Sequence, residues 1–161
     1  MQVTPRSLAK CGLKDLVTPT LLDGFTISGG TDSSGSALTI YRSSMQVANC
    51  IVTRNLGYAV EITRQSHPTF TNCTFLENAS HSSRSRGGGM EIDYDCRPTL
   101  LNCTFERNYH CGIRNEGKAQ ITDCTFIENS HTGISNTDQE ADGTIITNCI
   151  FTGNGDTALY N

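Results

Sequence analysis

Asn72-Cys73-Thr74-Phe75-Leu76-Glu77-Asn78 is a heptad that this chain repeats. It returns as Asn102 to Asn108, Asp123 to Asn129 and Asn148 to Asn154, each time with Cys second, Phe fourth and Asn last, and a weaker copy runs from Asn49 to Asn55. Gly24 to Gly30 fits the same frame with Phe25 in the Cys place and Ile27 in the Phe place. The Cys-equivalent positions 25, 50, 73, 103, 124 and 149 are then separated by 25, 23, 30, 21 and 25 residues. A self-similar period of that length is the signature of stacked coils, and it outranks any local propensity.

Between the heptads lies a second segment: Leu38-Thr39-Ile40, Val60-Glu61-Ile62, Met90-Glu91-Ile92, Ile113-Arg114-Asn115, Ile134-Ser135-Asn136 and Leu159-Tyr160-Asn161. Apolar and polar residues alternate there with period 2, which is the period of a strand. A third apolar point, at Leu22, Val47, Phe70, Leu100, Ile121 and Ile146, precedes each heptad, twice behind a Pro-Thr pair whose proline belongs at a corner because it donates nothing to a ladder. Three short strands per coil and no helical period predict an all-β chain, a parallel solenoid of about six coils. Cys50, Cys73, Cys103, Cys124 and Cys149 should point inward beside a column of Ile27, Val52, Phe75, Phe105, Phe126 and Phe151. The threonines between them should face out, and the heptad-final asparagines should stack at one corner with amides bonded along the rod. Leucine-rich repeats have a similar length, but their Leu-x-x-Leu-x-Leu core is absent.

With 161 residues there is room for one domain of ordinary size. Sixteen acids against 12 bases give a formal charge of −4, which offers no basic footprint for nucleic acid. No apolar run approaches the ~20 residues of a membrane span, and Met1 to Lys10 lacks the apolar centre of a signal peptide. Residues 1–21 fall outside the repeat and read as a cap or irregular lead-in, in which Ser7 to Leu16 could form a short helix; residues 22–161 form the repeat domain. The sequence stops at Ala158-Leu159-Tyr160-Asn161 inside a strand, so either it is truncated or another protein covers that open end. Between Asn78 and Gly89 one coil carries seven more residues than the next, as Ser80 to Arg86, and reads as a solvated loop.

The Phe-x-x-Asn copies ending at Asn78, Asn108, Asn129 and Asn154, with glycine-rich partners such as Gly87-Gly88-Gly89-Met90, resemble the repeats of bacterial polymorphic outer-membrane proteins. More broadly, the chain resembles right-handed parallel β-helix proteins of the pectate-lyase-like superfamily. The resemblance covers about residues 22–161 and implies a right-handed coil and an extracellular or cell-surface setting. It leaves function open, because that superfamily holds lyases, hydrolases and epimerases beside surface and adhesin domains.

The thiol column invites a metal, but zinc sites draw on spaced Cys pairs, and none exists here. Disulfides along it are disfavoured too, because in-register neighbours sit ~4.8 Å apart, beyond the usual Cβ separation. Buried inert thiols are the expectation. The outward positions of the middle segment gather Glu61, Glu91, Arg114 and Tyr160 in one column and Asp93 and Glu116 in the next. The superfamily resemblance makes the four carboxylates candidate calcium ligands and Arg114 a candidate helper in proton abstraction; without it they are a solvated face with a Glu91–Arg114 pair. His110 and His131 share one repeat position, with His81 similarly placed and Asp156 on the last coil.

Two classes of function follow. A structural or carbohydrate- or partner-binding module of a secreted or surface protein accounts for the regular, weakly charged repeats. A polysaccharide-active lyase, hydrolase or epimerase accounts for the acidic cluster. An ice-binding threonine array is a third reading, weakened because Ile51 and Ile150 interrupt the column.

Overall fold

The computed structural model describes residues 7–8, 11–15, 20–30, 36–78, 87–137 and 143–160, and every regular element among them is a β-strand. The strands form three parallel sheets. A lead-in sheet has six strands, from Leu21–Asp23 through Thr69–Thr71 and Thr99–Leu101 to Ile145–Thr147. A heptad sheet of seven strands contains Ile51–Thr53, Thr74–Leu76, Thr104–Glu106, Thr125–Ile127 and Ile150–Thr152. A middle sheet, also of seven, contains the longer strands Tyr58–Thr63, Gly88–Ile92, Cys111–Asn115 and Thr132–Asn136. Each coil gives one strand to each sheet, so every strand pairs with its equivalent in the coils before and after.

One correction falls at the start of the chain. The stretch expected as a short helix instead supplies the strands Ser7–Leu8 and Cys11–Lys14, which pair in parallel with Thr26–Ser28 and Leu38–Tyr41. Strands of two and four residues added to an existing sheet edge gain ladder hydrogen bonds at once, whereas a helix of that length must first form a costly nucleus.

The register turns sequence period into columns. Val52, Phe75, Phe105, Phe126 and Phe151 are consecutive partners across the heptad sheet. Their rings stack at 4.5, 5.0 and 4.8 Å between centroids, and Phe75, Phe105 and Phe126 are fully buried. The middle sheet must come close to this stack. A Cβ on Gly112 would lie 2.6 Å from the Gly133 carbonyl oxygen and 2.8 Å from the Phe126 ring, so the glycine there makes room for the phenylalanine.

Two left-handed residues turn each heptad corner. Asn49, Asn72, Asn102, Asp123 and Asn148 have φ of 52–54°, and the sixth heptad position repeats this at Arg54, Glu77, Arg107 and Glu128 with φ of 49–56°. The thiol beside each first corner donates to the carbonyl two residues back, as in Cys73 to Thr71 at 3.4 Å and Cys124 to Thr122 at 3.2 Å. Among the described residues Cys50, Cys73, Cys96, Cys103, Cys111, Cys124 and Cys149 are all free thiols.

The heptad-final asparagines Asn55, Asn78, Asn108 and Asn129 are buried, Asn154 is partly so, and all five are linked end to end. Asn78 Nδ2 donates to Asn108 Oδ1 at 3.1 Å and to the Val52 carbonyl at 2.8 Å, while Asn78 Oδ1 accepts from the Asn55 side chain at 2.9 Å. The same pattern carries the ladder from Asn108 through Asn129 to Asn154.

Phe105→Ala in this stack is expected to cost about 3–5 kcal/mol, and Thr104→Ala on the outer side well under 1 kcal/mol. Urea denaturation of the two variants measures the contrast, and small equal losses would overturn the inward assignment. Burial pushes the Cys96 and Cys111 thiols up to about 12. Cys103 is raised as well, by the neighbouring Cys124 and Cys73 thiols and by burial. Cys73 and Cys124 are lowered instead, chiefly by their contact with the Cys103 thiol. All three are buried at 1% exposure or less, so inaccessibility should make them resist iodoacetamide in the native protein and react after denaturation, a difference that mass spectrometry reads directly.

Candidate functional site

The outward positions of the middle sheet form the columns read from the sequence. Thr39, Glu61, Glu91, Arg114, Ser135 and Tyr160 are successive register partners. Beside them Tyr41 pairs with Thr63, and the backbone bonds Asp93 N to Ile62 O, Glu116 N to Ile92 O and Thr137 N to Asn115 O continue the second column. A strand sends alternate side chains to opposite faces, so the apolar partners Val60, Ile62, Met90, Ile92 and Ile113 are buried while these residues stay partly open.

Arg114 organises the face. Its Nη1 donates to Glu91 Oε1 at 2.7 Å across the ladder, and its Nη2 donates to Glu116 two residues along its own strand. All three side chains are about four-fifths covered. Burial works against the Arg114 charge, but Glu116 and Glu91 together raise its pKa above the usual arginine range. Burial also outweighs the attraction of Arg114 at Glu91 and raises that carboxyl. Asp93 is raised by burial and then by its neighbours Glu61 and Glu116. Glu61 accepts a hydrogen bond from the Ser36 hydroxyl at 3.2 Å, which in turn meets Thr39 at 2.7 Å. At one end of the sheet Lys14 and Arg42 sit over the Tyr41 ring; at the other, Tyr160 is 56% exposed.

The carboxylates thus converge on a guanidinium. Among the described residues no three Asp, Glu, His or Cys side chains are grouped so as to hold a metal ion. Of the four carboxylates read as candidate calcium ligands, Glu91 and Glu116 are bonded to Arg114, while Glu61 and Asp93 are not.

His110 and His131 do stack, with ring centroids 5.0 Å apart, and His131 Nδ1 meets Asp156 Oδ2 at 2.8 Å. Burial and then the neighbouring His131 lower the His110 pKa. His81 and the Ser80 to Arg86 insertion lie outside the described residues. In the outer column of the heptad sheet Ile51 and Ile150 stand in register with the threonines and are 42% and 60% exposed, which breaks the flat hydroxyl array an ice-binding face needs.

The model for the right-handed β-helix region matches residues 18–161, almost the whole of the coiled chain. The chain belongs to the right-handed β-helix family. No curated protein and no solved structure matches it. In this β-helix no helix among the described residues is long and apolar enough to cross a membrane.

Two features of this β-helix were not read from the sequence. Arg54, Glu77, Arg107 and Glu128 alternate in sign along the left-handed heptad corner, where Glu77 bonds Arg54 at 3.1 Å and Arg107 at 3.3 Å. The sixth heptad position held that signal. A corner between the middle and lead-in sheets also aligns His67, Arg97 and Lys118, a signal carried by the matched triplets His67-Pro68-Thr69 and Arg97-Pro98-Thr99.

The raised Asp93 carboxyl gives a pH test. A native acid that holds its proton more tightly than the unfolded chain leaves stability intact at low pH and takes it away as pH rises through the ordinary aspartate range toward the raised value. Asp93→Asn removes that loss. Chemical denaturation across pH should show the variant matching the parent at acid pH and exceeding its stability at neutral pH; a variant less stable at neutral pH would contradict the assignment.

Proposed function

We propose that this β-helix is a non-catalytic binding module of a secreted or cell-surface protein, and that its middle sheet holds an uncharged carbohydrate chain. The observation that carries this reading is the Arg114 clamp. A guanidinium bonded to both Glu91 and Glu116, with its pKa raised, neither takes a proton nor offers a free charge to a uronate. What remains on the central coils is net negative and rich in acceptors: Glu61 and Asp93, flanked by the hydroxyls of Thr39, Thr63 and Ser135. Such a row repels acidic sugars and suits the many hydroxyl donors of neutral ones. Tyr160, 56% exposed, supplies an aromatic platform at one end, five coil steps or roughly 24 Å at ~4.8 Å per coil from Tyr41, whose ring carries Lys14 and Arg42.

A hydrolytic reading has one observation in its favour, the raised Asp93 carboxyl, which is the form a general acid takes. A panel of neutral and acidic oligosaccharides separates the two. Binding of a neutral oligosaccharide without turnover, weakened at least tenfold by Glu61→Gln with Asp93→Asn and by Tyr160→Ala, is the expected result. Product release that disappears in Asp93→Asn would replace the module by an enzyme, and the absence of any binding would leave the fold with a structural role alone.

A further inference from the structure

The corner between the middle and lead-in sheets holds a second, separate site. His67 N, Arg97 N and Lys118 N donate to the Ser43, Ser66 and Cys96 carbonyls at 3.2, 3.1 and 3.0 Å, so the three residues occupy one position on three successive coils. Two steps of ~4.8 Å put three basic side chains within roughly 10 Å of one another. The column is basic only there: Ser44 precedes it in register, and Gly143 follows, with Lys118 Cδ 3.8 Å from the point where its Cβ would stand.

Together with Gln65, Tyr94 and Asp95 these residues line a cleft of about 500 Å³. That is the scale of a small-molecule site. Tyr94 is 54% exposed and presents an aromatic ring to the cleft wall. Asp95 is the one acid among the described residues of the lining, and it accepts from the Cys96 thiol at 3.5 Å. Arg97 differs from most of the arginines elsewhere on the rod. Arg54, Arg107 and Arg114 each hold a carboxylate, and Arg42 lies over Tyr41, whereas Arg97, like Arg64, is exposed and forms no ion pair among the described residues.

We infer that this cleft binds a sugar bearing a sulfate or phosphate ester, with Arg97 and Lys118 on the ester oxygens and Tyr94 against the sugar ring. The guanidinium fork engages two oxygens of an oxyanion at once, and a tetrahedral ester group has a third oxygen left for the neighbouring cation. A carboxylate, with two oxygens, satisfies fewer of the donors. The ester group also has reason to prefer this corner over the adjoining middle sheet, whose Asp93, Glu61 and Glu116 repel it.

Isothermal titration with glucose 6-sulfate, glucose 6-phosphate, glucuronate, glucose and inorganic sulfate tests this. Both esters, or one of them, should bind at least tenfold more tightly than glucuronate, glucose or sulfate. Arg97→Ala and Lys118→Ala should each weaken that binding at least fivefold, and Tyr94→Ala should weaken the ester without changing the response to sulfate. Asp95→Asn, which removes the opposing charge, should tighten it about threefold, so that the test includes a gain that no unfolded variant could mimic. Failure of either ester to bind, equal binding of glucuronate or sulfate, or binding unchanged in Arg97→Ala and Lys118→Ala would overturn the inference.

Discussion

A buried primary amide is tolerable only if its donors and acceptor all find partners, since each one left unpaired costs about 1–3 kcal/mol. In this β-helix the partners are supplied by translation along the rod. Each Asn of the heptad-final column gives one proton to the amide of the next coil and one to the carbonyl of the preceding coil, and its own oxygen accepts from the coil before. The rest of the structure depends on that arrangement. The ladder fixes which coil sits on which, because a coil placed out of step would strand an amide in the core. With the coils so indexed, the phenylalanines stack, the glycines of the middle sheet meet the rings they must clear, and the thiols lie against carbonyls two residues back.

The same indexing decides the chemistry of each surface. A parallel solenoid places equivalent positions of successive coils ~4.8 Å apart, so the charge of a column is the sum of residues that are 21–30 positions distant in sequence. At the heptad corner the sum alternates and cancels in a chain of exposed ion pairs. On the middle sheet it is acidic around a single clamped guanidinium. At the corner beyond Asp93 it is basic. An acidic chain thus carries a local basic cleft within a few residues of its most acidic face.

Burial sharpens these differences. Glu91 and Asp93 are raised, and Arg114 is held charged by its two carboxylates, because the middle sheet is partly shielded from water. A base that must release or accept a proton needs the opposite arrangement, a cation whose charge its surroundings make costly. The clamp therefore keeps Arg114 charged.

The architecture was legible in the sequence because the heptad repeats its Cys, Phe and Asn at fixed places, and each is tied to one physical role: small apolar group, stacking ring, ladder amide. Period 2 in the middle segments likewise gave the outward columns, including the pairing of Glu91 with Arg114. The sequence by itself could not decide the N-terminal strands, whose six residues carry no repeat and become strands only because a sheet edge is waiting for them. Nor could it decide that Arg114 would take Glu116 as well as Glu91, since that depends on side-chain reach and not on register. The basic corner was hidden for a related reason: His67, Arg97 and Lys118 share no residue type, and only the closing of each coil brings them into line. Periodicity determines what repeats; the tertiary structure decides what the unlike residues at one level of the rod do to each other.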